Sequence, residues 1–230
     1  MVEHTVDSLE RFLSFLQVYS EVDFFRGQSS KENPLIPSIG RFYSYGQEKV
    51  LLQFEREIFE DFKRKYSMFS EVRPRNDKEF LFLAQHYGLP TRLLDWTYNP
   101  LIALYFACNA DFDKDGIVYH CMPFSRSEYD ERGDILTFPD LTILVPNLTD
   151  VRYKNQNGLF TLYSRPWEDQ MSKHANTHYI VPAKVKNHIL NKLEKIGMTR
   201  SYIMPSLDSL SIEIVQLYSK RYEGRITKRL

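Results

Sequence analysis

The stretch from Gln85 to Thr97 constrains this chain more than any other. It reads Gln-His-Tyr-Gly-Leu-Pro-Thr-Arg-Leu-Leu-Asp-Trp-Thr, which sets an amide, an imidazole, a guanidinium, a carboxylate and hydroxyls between two apolar, helix-like segments. Burying polar groups costs free energy unless each finds a partner. A chain that gathers them in one place is building a site rather than a plain core. A second unusual run, Phe25-Arg26-Gly27-Gln28, lies well upstream.

Periodicity sets the elements around these two runs. Leu9, Phe12, Leu13, Leu16 and Val18 predict a helix over 7–19 with Asp7 or Ser8 as its N-cap. Residues 22–27 read as a short strand ending at Gly27, a position suited to a sharp turn or a close backbone approach. Over 47–66, Val50, Leu51, Phe54, Ile58, Phe59, Phe62 and Tyr66 recur at helical spacing. The Val50, Phe54, Ile58 and Phe62 stripe is expected on the sheet, with Glu48, Lys49, Glu55, Arg56, Asp61 and Arg64 in solvent. Asn76-Asp77-Lys78-Glu79 resembles a capping box opening the next helix, and Gly88 with Pro90 stops it. Thr91 to Asp95 is extended. Asn99-Pro100 then starts a helix that is apolar nearly all round and therefore buried. Further strands are expected at 117–121, 158–163 and 179–182, and helices at 183–196 and 207–218, while 122–150 gives no clear pattern. Strands and helices mix without strict alternation. The fold class is α+β: one domain over 1–230, with short mixed or antiparallel strands and a helical N-terminal layer.

Several function classes recede. Lys plus Arg is 30 and Asp plus Glu is 30, so no global basic field draws in nucleic acid, though a local groove stays open. The basic run 220–229 reads as a solvated end. Cys108 and Cys121 are too few for a disulfide framework and read as core thiols. The N-terminus has no apolar signal core, and no apolar run approaches the ~20 residues of a membrane span. A cytoplasmic protein with no membrane contact is expected. The sequence has no Gly-rich phosphate loop, no His-Glu-x-x-His and no Gly-x-Ser-x-Gly. His174 and His178 lie four apart with no third ligand in view and read as surface residues, so no metal is expected.

The two polar runs carry a family resemblance. Phe25-Arg26-Gly27-Gln28, Pro37, Arg41, Gln85-His86, Pro90 to Thr97 and Ala103-Leu104-Tyr105-Phe106-Ala107 follow one another as in the FRG domain family, named for its Phe-Arg-Gly signature. The resemblance covers about residues 24–120. Weaker echoes lie at Arg152 with Gln156 to Phe160, and at Met204-Pro205-Ser206, where the family pattern has Phe-Pro-Asp. The aromatic-Arg-Gly strand is also similar to the first motif of arginine-type ADP-ribosyltransferases, whose arginine helps hold NAD. That similarity implies an ADP-ribosyltransferase-like fold and activity, although the last third has no Glu-x-Glu or Gln-x-Glu pair.

Arg26, Gln28, Gln85, His86, Arg92 and Asp95 are expected to line one polar cleft. Under the transferase resemblance, Arg26, Gly27, Gln28, Gln85, Arg92 and Thr97 bind the cofactor NAD, and His86 or Asp95 polarises a ribose or acceptor hydroxyl. The acceptor, protein or nucleic acid, is not readable. Trp96 and Tyr87 are placed to stack on a ring, or simply to pack the core. The other class is a non-catalytic module that binds a small nucleotide or an acidic peptide in the same cleft. A toxin or defence role is a third reading and names no chemistry. For Arg92 and Asp95 a structural network with Arg26, Gln85 or Glu55 stands equal to the site reading.

Overall fold

Short strands from both halves of the chain assemble into one seven-stranded sheet in the computed structural model, which describes residues 1–124, 129, 133–146 and 155–222. The strands are β1 (Val2–Thr5), β2 (Phe24–Gln28), β3 (Leu93–Thr97), β4 (Gly116–Cys121), β5 (Thr142–Leu144), β6 (Gly158–Leu162) and β7 (Thr177–Val181). Their order is β1-β7-β4-β2-β3-β6-β5. The β1–β7 pair is parallel and every other neighbour antiparallel. This is the mixed α+β architecture expected from the sequence. The edge strands β1 and β5, four and three residues long, were not anticipated, because such short runs show no period.

The helices are α1 (Leu9–Phe15), α2 (Glu48–Lys65), α3 (Asp77–His86), α4 (Pro100–Cys108), α5 (Lys186–Lys195), α6 (Arg200–Ile203) and α7 (Leu207–Arg221). Their starts follow capping chemistry. Ser8 Oγ accepts from Arg11 N at 3.2 Å, Asn76 Oδ1 from Glu79 N at 3.0 Å, and Asn99 Oδ1 from Leu101 N at 2.9 Å with Pro100 at the first helical position. Gly88, at φ +86°, takes a left-handed backbone after α3.

Register sorts the strand residues onto two faces. Phe25, Gly27, Val118, Tyr179, Leu93, Asp95, Phe160 and Leu162 share one face. Two apolar clusters bury it: one joins Phe25, Val118 and Tyr179 to α1, α4 and α5, the other joins Leu93, Phe160 and Leu162 to Phe59 of α2 and Phe82 of α3. Gly27 lies directly under α4. A Cβ there would stand 1.8 Å from the Ala103 carbonyl oxygen, so the close approach requires glycine. Phe24, Arg26, Gln28, Ile117, Tyr119, His178, Ile180, Leu94 and Trp96 share the opposite face. It is covered without helices, by Leu35 and by Tyr163, Met171 and Ala175 of the turn-rich segment 163–176. The helical layer therefore lies on one face and draws on both halves of the chain rather than on the N-terminal part alone.

Helix α2 is rotated from its expected setting. Its buried residues are Leu51, Glu55 and Phe59, whereas Val50 is 61% exposed. Phe54, Ile58 and Phe62 line an open groove of about 730 Å³ with Leu83, Tyr87 and Leu89 at the end of α3. The inward stripe carries Glu55, whose carboxylate pairs with Arg92 in the interior, so turning it to solvent would leave the Arg92 guanidinium buried without that partner. No helix among the described residues is long and apolar enough to cross a membrane.

Candidate functional site

The site is built where β2 and β3 part. These strands pair at one position, Phe25 with Thr97. Beyond it Arg26, from the loop-covered face, bridges to Asp95, from the helix-covered face. Arg26 Nη1 donates to the Asp95 carbonyl at 2.8 Å and lies 3.8 Å from Asp95 Oδ2. Helix α3 holds the carboxylate from the other side, where Gln85 Nε2 donates to Asp95 Oδ2 at 3.0 Å. Thr91 Oγ1 donates in turn to Gln85 Oε1, and Leu93 N donates to Thr91 Oγ1 at 3.2 Å. A chain of contacts thus runs from Arg26 through Asp95 and Gln85 to Thr91. The Asp95 side chain remains 57% exposed at its centre. Burial pulls the Arg26 guanidinium below its ordinary value, and the Asp95 charge opposes that shift.

Arg92 stands apart. Its side chain is 1% exposed and that of Glu55 2%. Arg92 Nε donates to Glu55 Oε1 at 2.9 Å and Nη2 to Glu55 Oε2, the two-point fork that suits a planar guanidinium. Glu55, expected in solvent, is among the most buried residues of the chain. Thr97 is also inside. Its hydroxyl donates to the Gln156 carbonyl at 2.5 Å and accepts from Asn99 N at 3.0 Å, which ties β3 to the turn before α4. Gly27 serves the β2–α4 contact. His86 ends α3 beside Gln85, its ring edge-on to Tyr87 at 4.8 Å. Tyr87 is exposed, whereas Trp96 is buried and donates Nε1–H to Thr161 Oγ1 at 2.9 Å.

The loop-covered face holds a second feature. Gln28 is 6% exposed, and neither its Nε2 nor its Oε1 has a partner in the protein. Arg26 Nε and His178 Nε2 are likewise buried without one. His178, expected at the surface, is 7% exposed and lies edge-on to Tyr119 at 4.9 Å. Burial lowers the His178 imidazole below its ordinary value and raises the Tyr119 and Tyr163 phenols, with the Asp169 charge adding to the rise of both.

Three buried polar groups gave no sequence signal. Lys186 is fully buried, and its Nζ donates to the carbonyls of Ser29, Ala110 and Asp111 at 2.5, 3.0 and 2.8 Å. His120 Nε2 lies 2.9 Å from Asp23 Oδ2, with its ring stacked on Phe25 at 4.6 Å. Both pairings join distant segments, so no local spacing announces them. Arg152 and most of the basic end, 223–230, lie outside the described residues. Among the described residues no group of three or more His, Cys, Asp and Glu side chains is placed to hold a metal ion.

Residues 22–116 match the family model of the FRG domain. The match contains β2, α2, α3, β3, α4 and Gly116, the first residue of β4, and with them Arg26, Gln28, Gln85 and Asp95. It supports the family resemblance that the Phe25-Arg26-Gly27 and Gln85–Thr97 runs carry. No curated protein and no solved structure gives a match, and the similarity to ADP-ribosyltransferases finds no counterpart in these comparisons.

Proposed function

We propose that the FRG-like core is a nucleotide-binding module, with the phosphate or ribose held at Arg26 and NAD as the first candidate ligand. The observation that carries this reading is the Arg26 guanidinium. It is partly buried at a strand gap, with one nitrogen on a backbone carbonyl and a buried Nε without a protein partner, two residues from a buried Gln28 amide in the same condition. A planar cation with donors to spare suits a phosphate or a ribose diol.

One observation favours the enzymatic reading, ADP-ribosyl transfer from NAD to a protein or nucleic-acid acceptor. The Asp95 carboxylate sits beside Arg26, stays half in solvent, and is aimed by Gln85. A fixed carboxylate there would accept a hydrogen bond from a ribose hydroxyl and favour the positive charge that develops as the nicotinamide bond breaks. The test is nicotinamide release from NAD by the purified chain, run beside Arg26→Ala and Asp95→Asn. Release lost in both variants supports transfer. NAD binding with no release leaves the binding module, and neither binding nor release removes both.

A further inference from the structure

Among the described residues, the buried polar atoms of Arg26, Gln28 and His178 that lack protein partners fall on one sheet face, in two adjacent register rows. Arg26, Tyr119 and His178 form one row across β2, β4 and β7, and Gln28, Ile117 and Ile180 form the next. With strands ~4.8 Å apart and ~3.4 Å per residue, the three polar side chains root within about 12 Å of one another. Such atoms are costly in a folded interior when left unmet. Scattered, they would be isolated defects. Gathered in two rows under a cover of turns, they form a recognition surface.

Their chemistry is specific. The Gln28 amide presents a donor and an acceptor side by side in one plane. That pair complements a ring edge carrying the same pair reversed, either a carboxamide or an amino-heteroaromatic edge. The neutral His178 imidazole adds one further donor or acceptor, set by its tautomer. Tyr119, between Arg26 and His178 in register, supplies an apolar ring wall.

We propose that Gln28 and His178 are specificity residues on this sheet face, reading the hydrogen-bonding edge of a nucleobase or nicotinamide ring whose phosphate or ribose is held at Arg26. This inference rests on the nucleotide reading above. The probes are nicotinamide mononucleotide, AMP and ribose 5-phosphate, which carry respectively a carboxamide ring, an amino-purine and no ring. Calorimetric titration should show the wild-type chain favouring one or both ring-bearing probes over ribose 5-phosphate, by about tenfold or more. The probe that gains identifies the ring. In Gln28→Leu and His178→Phe that advantage should shrink to within about twofold, with ribose 5-phosphate binding unchanged. Because the Gln28 amide makes no bond within the protein, Gln28→Leu should keep its thermal midpoint, and Gln28→Met serves if it does not fold. If both variants keep the advantage of the ring, the recognition role is overturned while the nucleotide reading stands. If none of the three probes binds the wild-type chain, both fall.

Discussion

Replacing Arg92 tests whether the longest polar motif of this chain is scaffold. Arg92 and Glu55 are 1% and 2% exposed and joined at two points. Arg92→Ala would strand a carboxylate in the interior, and breaking a buried pair this way costs about 3–5 kcal/mol. For a chain of this size each kcal/mol moves the thermal midpoint by about 2–4 °C, so a fall of roughly 6–20 °C is expected. Arg92→Lys keeps the charge but loses the fork, and should cost about 1.5–3 kcal/mol, the worth of a hydrogen bond to a charged group. The double variant Arg92→Met with Glu55→Leu removes both charges. It should recover most of the loss, because apolar replacements of a buried pair are often neutral or better. Urea unfolding of the wild type, Arg92→Met, Glu55→Leu and the double variant closes a double-mutant cycle. Single variants that lose less than about 1 kcal/mol, the range of exposed pairs, would refute the argument, as would a double variant as unstable as the two losses combined.

Three further outcomes are expected. Lys186→Met keeps the aliphatic stem and strips three carbonyls of their donor; it should destabilise the fold by about 3 kcal/mol, read by urea unfolding, and a neutral effect would mean that those carbonyls are met otherwise. Burial holds the native His178 imidazole below its ordinary value of 6.5, so the unfolded chain binds the proton first. Stability should therefore fall as pH drops below about 6.5, and His178→Phe should flatten that part of the profile; His174, also lowered by burial, keeps a residual slope, and a profile identical to wild type would contradict the assignment. Burial pushes Cys108 and Cys121 up to about 12, so a thiol reagent at pH 8 should find both only after denaturation, and rapid labelling of the native chain would show them exposed.

Much of this fold was legible because its signals are local. Ser8, Asn76 and Asn99 each cap the helix that follows, and the all-apolar run after Pro100 is the buried helix α4. Gly27 marks the close approach of that helix to β2. The face of α2 was not legible. Two stripes, Val50-Phe54-Ile58-Phe62 and Leu51-Glu55-Phe59, compete on one helix, and the second carries a glutamate whose partner lies 37 residues away in sequence. His178 and Lys186 were missed for the same reason, since each is buried by elements remote in the chain. The candidate site was half legible. Arg26, Asp95 and Gln85 do meet, but only because the β2–β3 ladder opens after one pair, which no residue pattern announces. The same register sends Arg92 to Glu55 and leaves the Arg26–Asp95 contact without it.

The central claim is that Arg26 holds a nucleotide. Calorimetric titration of NAD and ADP-ribose into the wild-type chain and into Arg26→Ala tests it most directly. The account predicts saturable binding to the wild type and loss of binding in a variant that still unfolds cooperatively. A ligand bound only by the native state would also raise the wild-type stability, by about 2.7 kcal/mol at a hundred times its Kd. Absence of heat and of any thermal shift up to millimolar ligand, or equal binding by Arg26→Ala, would contradict it.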